Sequence, residues 1–372
     1  MDALGLIFSN IHNKEIFEVT ISRTIASAPI GGRYRLIDFA LSSMVNAGVT
    51  SVGVITKNNY QSLMDHVGSG KEWDLDRKKG GLCILPPNST SFLDQNYFTR
   101  LEAVKRNRSF IAHSKAKYVI LTDCYQVWNI DYNDVLKKHI ERGADMTCVY
   151  RRAKKGESYF LPTTAFEIDE NQRVVKLNQI DKKDQEFIES VDTWVIGREL
   201  LLSLIDEAFQ TNYNSFNRDI ISRNLNNLKV YGYEFDGYFG NIFNLQTYLK
   251  VSMDLLKKEV RDELFNVPNR SIYTKVRDSA PTLYKEGCLI ENSLIADGCV
   301  IEGEVKNSII FRGTIIKKGC KVHNSVLMQD TLIGENTNVD YVITDKNVQI
   351  ISKKEMKGDI KHPVYIKKNG VI

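Results

Sequence analysis

From about residue 280 to its end the chain shows no helical period and repeats itself. Aliphatic triplets recur at spacings near six, as CLIENS, SLIADG, CVIEG, SIIFRG, TIIKKG, SVLMQD, TLIGENT and YVITDK, with Gly, Asn or Asp between them. Such a period suits a parallel β-helix, in which each short strand turns one aliphatic side chain inward and each corner takes a residue tolerant of positive φ. A sandwich would need longer strands with strict alternation. Residues 281–372 are therefore expected to form one elongated unit.

Upstream, residues 1–265 alternate β-branched runs with helical patterns, the signature of a mostly parallel α/β sheet covered by helices on both faces. Strands are expected at 3–8, 51–56, 82–85, 118–122 and 146–151, all short and apolar. Helices are expected at 36–47, 100–114, 132–142 and 245–264. A hairpin is expected at 164–180, turning at 169–172. Residues 266–280, which begin Asn266-Val267-Pro268, read as a linker.

Charge and composition narrow the function classes. Lys plus Arg is 50 against 46 Asp plus Glu, without a basic block, so a nucleic-acid partner is not expected. No run reaches the roughly 18 apolar residues of a membrane span, and residues 1–17 lack a leader pattern. The expected location is the cytoplasm, with no membrane partner. The 6 cysteines include no C-x-x-C pair, and the 6 histidines no H-x-H or H-E-x-x-H. They read as reduced, mostly buried residues rather than as disulfides or zinc ligands.

Ligands of open α/β sheets bind at the carboxyl ends of the strands, so the connection after residues 3–8 is the place to look for a phosphate cradle. That connection contains no glycine before Gly31, and neither a P-loop nor a GxGxxG motif is present. Arg33 and Arg35 instead precede the 36–47 helix. Two guanidiniums beside a helix N-terminus suit a phosphate, although pairing with Asp38 would also account for them.

These residues carry a family resemblance. The run IGGRYRLIDFALSSMVNAGVTSVGVIT (30–56), then WDLDRKKGG (73–81) with LPP behind it, NIDYNDVL, FNRDII and the repeat tail are similar to bacterial glucose-1-phosphate adenylyltransferase, the ADP-glucose pyrophosphorylase family. The resemblance implies a Rossmann-like nucleotidyltransferase domain followed by a left-handed parallel β-helix. For active members it also implies glucose 1-phosphate, ATP and Mg²⁺.

The chain departs from that family where the chemistry is done. The glycine-rich loop is replaced by Phe8-Ser9-Asn10-Ile11-His12-Asn13. The lysine of the R-A-K-P segment falls at Ile25, with only Arg23 matching. One metal-binding Asp aligns with Tyr125, two residues past Asp123, and the other with Asn241. The E-K-P sugar-phosphate segment meets Asn178-Gln179-Ile180. Phosphoryl-type transfer rests on positioning and charge neutralisation, so these losses predict a chain that does not turn over alone. No cofactor is then required, and Mg²⁺ and ATP enter only with residual activity.

Taken together, the losses resemble the GlgD-type regulatory subunit of this enzyme in glycogen biosynthesis. That resemblance implies a hetero-oligomer, a tetramer, with a catalytic glucose-1-phosphate adenylyltransferase subunit and a phosphorylated sugar effector. In the family, effectors bind between the domains through basic residues near the GG-x-Y-R block and in the β-helix. Arg23 and Arg35 match, Arg33 lies beside them, and residues 336–340 lack a cation where one is usual. Arg312, Lys317 and Lys318 are the candidates to replace it. One alternative is an active enzyme with relocated groups, resting on Asp123, Asp219, Trp194 and Phe216. Another is a stand-alone sugar-phosphate or nucleotide sensor.

Overall fold

Strand Ala3–Phe8 is buried at every position, as its unbroken apolar sequence requires of a strand covered on both faces. It runs parallel between Ser51–Ile55 and Tyr118–Asp123, and Gly81–Leu85 extends the sheet beyond Ser51–Ile55. The architecture comes from a computed structural model, which describes residues 2–10, 16–87, 99–154, 163–181, 186–351 and 353–372.

The sheet is mixed rather than mostly parallel. Phe187–Gly197 pairs antiparallel with Tyr118–Asp123, with Met146–Ala153 and with the expected hairpin, formed by Thr163–Ile168 and Val174–Ile180. Val230–Glu234 lies parallel to Met146–Ala153. The long central strand is hard to read from sequence because it bends midway. Its register breaks between Ser190 and Trp194, and Asp192 takes a φ of 50°. A bulge of this kind turns a side chain out of the pleat, and here the residue is an aspartate.

Two helices are shorter than their apolar stripes suggest. Residues 100–114 divide into Arg100–Arg106 and Arg108–His113 at Asn107, whose side chain donates to the Ala103 carbonyl (2.8 Å) and competes with the helix ladder. Residues 245–264 divide into Leu245–Asp254 and Lys258–Phe265. Trp73, Trp128 and Trp194 are all buried, and Trp194 packs on Phe216 at 4.9 Å between ring centroids. They are core residues and form no sugar platform.

The repeat folds as a left-handed β-helix of three five-stranded parallel sheets. Ile301, Ile316, Ile333 and Ile350 stack in register along one wall, and Val305, Val322 and Val339 along the next. Asn292, Asn307, Asn324, Gly298 and Gly313 take the positive-φ positions.

The third wall is apolar on both sides. Ile310 and Leu327 face the β-helix interior, while Ile309, Val326 and Ile343 join the core of the α/β part. Doubled aliphatics such as Ile309-Ile310 and Val326-Leu327 are the sequence trace of that docking. Gly31 and Gly32, both at positive φ, turn a short hairpin of Pro29–Ile30 against Tyr34–Arg35. At Gly32 an added Cβ would stand 3.7 Å from the Ile310 carbonyl oxygen, so the turn lies directly on the β-helix. The linker is also fastened: Asn129 donates to the carbonyls of Leu264 and Arg270, and the Tyr273 N–H donates to Ser42 Oγ. Among the described residues, no helix is long and apolar enough to cross a membrane.

Candidate functional site

Because Ala3–Phe8 and Tyr118–Asp123 are parallel, their carboxyl ends open on one edge, where a nucleotide would be expected. The described start of that connection, Ser9 and Asn10, is buried. The Asn10 Oδ1 accepts from the Lys57 N–H (3.1 Å) and its Nδ2 donates to the Asn58 carbonyl (3.3 Å). Ile11, His12 and Asn13 lie outside the described residues.

The two positions aligned with metal-binding aspartates are neighbours. Asn241 pairs with Gln126, and the Ile242 N–H donates to the Tyr125 carbonyl at 3.0 Å. Tyr125 is buried, and its hydroxyl donates to Asp192 Oδ2 (2.9 Å). The same Asp192 oxygen accepts from Arg100 Nη2 (2.6 Å), and Arg100 Nε donates to Asp123 Oδ2 (3.0 Å). The bulge at Asp192 and the first residue of the Arg100–Arg106 helix thus bring two carboxylates onto one guanidinium.

Burial works against the Arg100 charge, but Asp123 and Asp192 outweigh it and hold the guanidinium protonated. Burial, with Asp192 and Asp123 adding to it, pushes the Tyr125 phenol up, so it remains a donor. This arrangement does not fit a divalent cation, since Arg100 already neutralises the carboxylates and the aligned positions supply a phenol and an amide. Among the described residues, no group of three or more His, Cys, Asp or Glu could hold a metal ion.

The other aligned positions are also engaged. Ile25 is buried in the short turn Ile25–Ser27. Asn178 donates to Glu167 (2.6 Å) and Gln179 to Thr164 Oγ1 (3.2 Å), both within their own hairpin. Asp219, a candidate relocated carboxylate, accepts from Arg218 Nε (2.8 Å) and from the Ser215 and Asn214 N–H groups, bonds that hold it well below the usual carboxylate range. A cavity of about 430 Å³ opens beside Asn241, but Arg151 and Arg152 on its wall pair with Glu189 and Glu234 (2.7 Å each).

Positive charge collects elsewhere, between the α/β part and the β-helix. A cavity of about 160 Å³ is lined by Arg33 and Arg35 from the hairpin and by Lys275 and Arg277 from the linker. The β-helix adds Arg312, Lys346 and Lys368, and the one carboxylate on the wall is Asp330. Arg35 is buried and anchored on Ser62, to the carbonyl at 2.5 Å and to Oγ at 2.9 Å; burial lowers its pKa to about 10. Lys346 is lowered to about 7, first by burial and then by Arg35 and Arg23. Burial also lowers His66, on the same wall, against the opposing pull of Asp38.

Several sequence expectations are revised here. Arg23 stands behind the cavity, buried, with Nη2 on Asp345 Oδ1 (2.7 Å) and Oδ2 (2.9 Å), because a bidentate carboxylate satisfies it better than a solvated anion would. The N-terminus of the Leu36–Asn46 helix is not open to a phosphate either. Asp38 accepts from the Arg35 N–H (3.0 Å) and bonds His66 Nε2 (2.6 Å) there. Asp38 therefore pairs with the Arg35 backbone and not with its guanidinium. Arg312 does reach the cavity while its Nε donates to Asp297 Oδ2 (2.9 Å), whereas Lys317 lies outside it, facing Glu302 (3.7 Å).

Lys275, Arg277, Lys346 and Lys368 were missed. For the β-helix residues the signal is the coil length: the Asp330 N–H donates to the Arg312 carbonyl, Asn347 to Gln329 and Asn369 to Lys346, stacking those stretches at one corner.

Comparison with known proteins agrees with this architecture. Residues 14–257 match the nucleotidyl transferase family, and residues 281–364 match the GlmU-like C-terminal hexapeptide family. The chain is 34% identical over 369 residues to the glycogen biosynthesis protein GlgD of Bacillus subtilis, covering 99% of this chain and 96% of that one. It is 36% identical over 319 residues to GlgD of Geobacillus stearothermophilus, covering 86% and 82%. It is 30% identical over 353 residues to the glucose-1-phosphate adenylyltransferase of Fervidobacterium nodosum, covering 94% and 84%. The chain therefore belongs to the nucleotidyl transferase family, within the group that holds the GlgD glycogen biosynthesis proteins and the related glucose-1-phosphate adenylyltransferases.

Proposed function

We propose that this chain is a regulatory subunit in glycogen biosynthesis. It binds a phosphorylated sugar effector between its two parts and modulates a catalytic glucose-1-phosphate adenylyltransferase in a cytoplasmic hetero-oligomer, without making ADP-glucose itself. The observation that carries the reading is the contrast between its two charged sites. At the catalytic edge the Arg100 guanidinium is already engaged by Asp123 and Asp192 and does not offer its charge to a polyphosphate. Between the α/β part and the β-helix, seven Lys and Arg side chains and one carboxylate line a single cavity among the described residues, and of the seven Arg312 also pairs with Asp297.

The surface supports assembly as well. The first coil of the β-helix leaves Leu283, Tyr284 and Leu289 about half exposed on sheet edges, and the last coils leave Ile351, Ile360 and Val371 exposed as well. Native sheets seldom leave an apolar edge bare unless something pairs with it.

Mixing the purified chain with its catalytic homologue tests the reading. A hetero-oligomer should elute as one species, and its turnover or effector response should differ from that of the catalytic subunit alone. A coupling of about 1–3 kcal/mol would shift apparent affinity or rate some 5- to 150-fold. Separate elution with unchanged kinetics would refute it.

A further inference from the structure

Lys346 differs from the other cations of the inter-domain cavity. Its side chain is half-buried, and its Nζ makes no ion pair or hydrogen bond among the described residues. The adjacent carboxylate, Asp345, is already taken by Arg23, by the Tyr365 hydroxyl (2.8 Å) and by the Lys346 backbone N–H (2.7 Å). Arg35 and Arg277 face the amine with like charge. An amine so crowded sheds its proton more readily than a solvated lysine does, and a neutral amine is a nucleophile.

We propose that Lys346 is a self-modifying acylation site, at which a small acyl phosphate anchored by the surrounding guanidiniums transfers its acyl group to Nζ. The proposal rests on the reading of this cavity as a phosphate site. The phosphate end of the molecule takes the place of the effector's phosphate. The lone pair of Nζ attacks the acyl carbon and forms the C–N bond; the C–O bond to phosphate breaks, and phosphate leaves with the electron pair. The amine proton passes to the departing phosphate or to water. No oxidant, metal or further reactant is needed.

Arg33, Arg35 and Arg312 serve twice, by holding the electrophile and by stabilising the charge that grows on the leaving phosphate. The reacting complex is the fraction in which Nζ is neutral, so the rate of acylation should rise with pH while anion affinity falls. The product is a neutral amide in place of a cation, so acylation lowers the anion affinity of the cavity and gives the subunit a covalent record of acyl phosphate supply.

The test is to incubate the full chain with acetyl phosphate and follow each lysine by peptide mass spectrometry. Lys346 should be acetylated about tenfold or more faster than Lys137, which is exposed outside the cavity, because the cavity both lowers the Lys346 amine and holds the phosphate beside it. Sulfate should protect Lys346 and leave Lys137 unaffected, Arg312→Ala should slow the reaction at Lys346, and Lys346→Arg should fold normally without acetylation at that position. Lys346 reacting no faster than Lys137, or without protection by sulfate, overturns the proposal. Calorimetry with sulfate separates the two levels. If sulfate binds but Lys346 is not preferentially acetylated, the acylation proposal falls and the effector reading stands; if sulfate does not bind, both fall.

Discussion

Arg23 and Asp345, 322 residues apart in sequence, meet in a buried bidentate ion pair that ties the segment after the first strand to the β-helix. Arg23 also donates to the Val19 carbonyl, and Tyr365 donates to Asp345, so both charges are satisfied from several directions. Lys346, beside Asp345, lines the cationic cavity, which puts the tie one residue from the cavity wall.

Removing one partner of such a pair leaves the other charge buried and unpaired. Arg23→Ala or Asp345→Ala should each cost about 3–5 kcal/mol, seen as a lowered midpoint in chemical denaturation. Arg23→Lys should recover only part of this, because one ammonium cannot replace both Nη2 on Asp345 and Nη1 on the Val19 carbonyl. A change below about 0.5 kcal/mol, the scale of an ordinary surface substitution, would show that the tie is not structural.

Effector binding should depend on cations from both sides of the cavity. Arg33→Ala, on an exposed residue of the hairpin, and Arg312→Ala, on the β-helix, should each weaken sulfate or sugar-phosphate binding about tenfold, the loss of one charge-assisted contact. Calorimetry measures it. Lys317→Ala, outside the cavity, should leave affinity unchanged.

Anion affinity should follow the protonation of Lys346. Its folded value of about 7 lies below its ordinary 10.5, so between those values the unfolded chain holds a proton that the folded chain lacks. The penalty of charging Lys346 is fully present below pH 7 and is relieved as pH rises through that window. Sulfate, divalent throughout, favours the charged amine, so its affinity should fall from about pH 6 to about pH 8 with uptake of a proton on binding. Burial lowers the Lys346 value first, Arg35, Arg23 and Arg277 lower it further and Asp345 opposes them, while burial also lowers His66 on the same wall. Lys346→Met should flatten the profile; an unchanged profile would assign the titration to another group.

Restoring the two aligned carboxylates should not restore catalysis. Tyr125→Asp would set a carboxylate against Asp192, and Asn241→Asp would charge a side chain whose Oδ1 is buried without a hydrogen-bond partner among the described residues. Arg100 would still hold Asp123. The double variant should be less stable than the parent and make no ADP-glucose in a Mg²⁺-dependent assay; efficient turnover would overturn the account of the catalytic edge.

Assembly should depend on the first coil of the β-helix. Leu283→Lys with Tyr284→Lys places charge on an exposed edge, as native edge strands do, and should leave the fold intact. Co-elution with the catalytic homologue should weaken. Deleting the whole β-helix would be a poor substitute, because Ile309, Val326 and Ile343 complete the core of the α/β part.

The sequence by itself determined the two-part architecture, because a period near six with Gly and Asn at the corners and an α/β alternation are local patterns that burial and backbone sterics impose residue by residue. It also set the expectation that charge is missing at the catalytic edge, since Ile25, Tyr125 and Asn241 carry no carboxylate or ammonium. It did not reveal what replaced it. Arg100, Asp123 and Asp192 lie on three separate elements, and they meet only because a bulge at Asp192 and the start of a helix turn toward one strand end. Arg23 and Arg35 look alike in sequence, yet the tertiary structure buries one against Asp345 and turns the other toward a cavity shared with Lys346 and Arg312. Which arginine is held in an ion pair and which lines the cavity depends on carboxylates and cations hundreds of residues away, and their placement is fixed by the docking of the β-helix wall and by no local pattern.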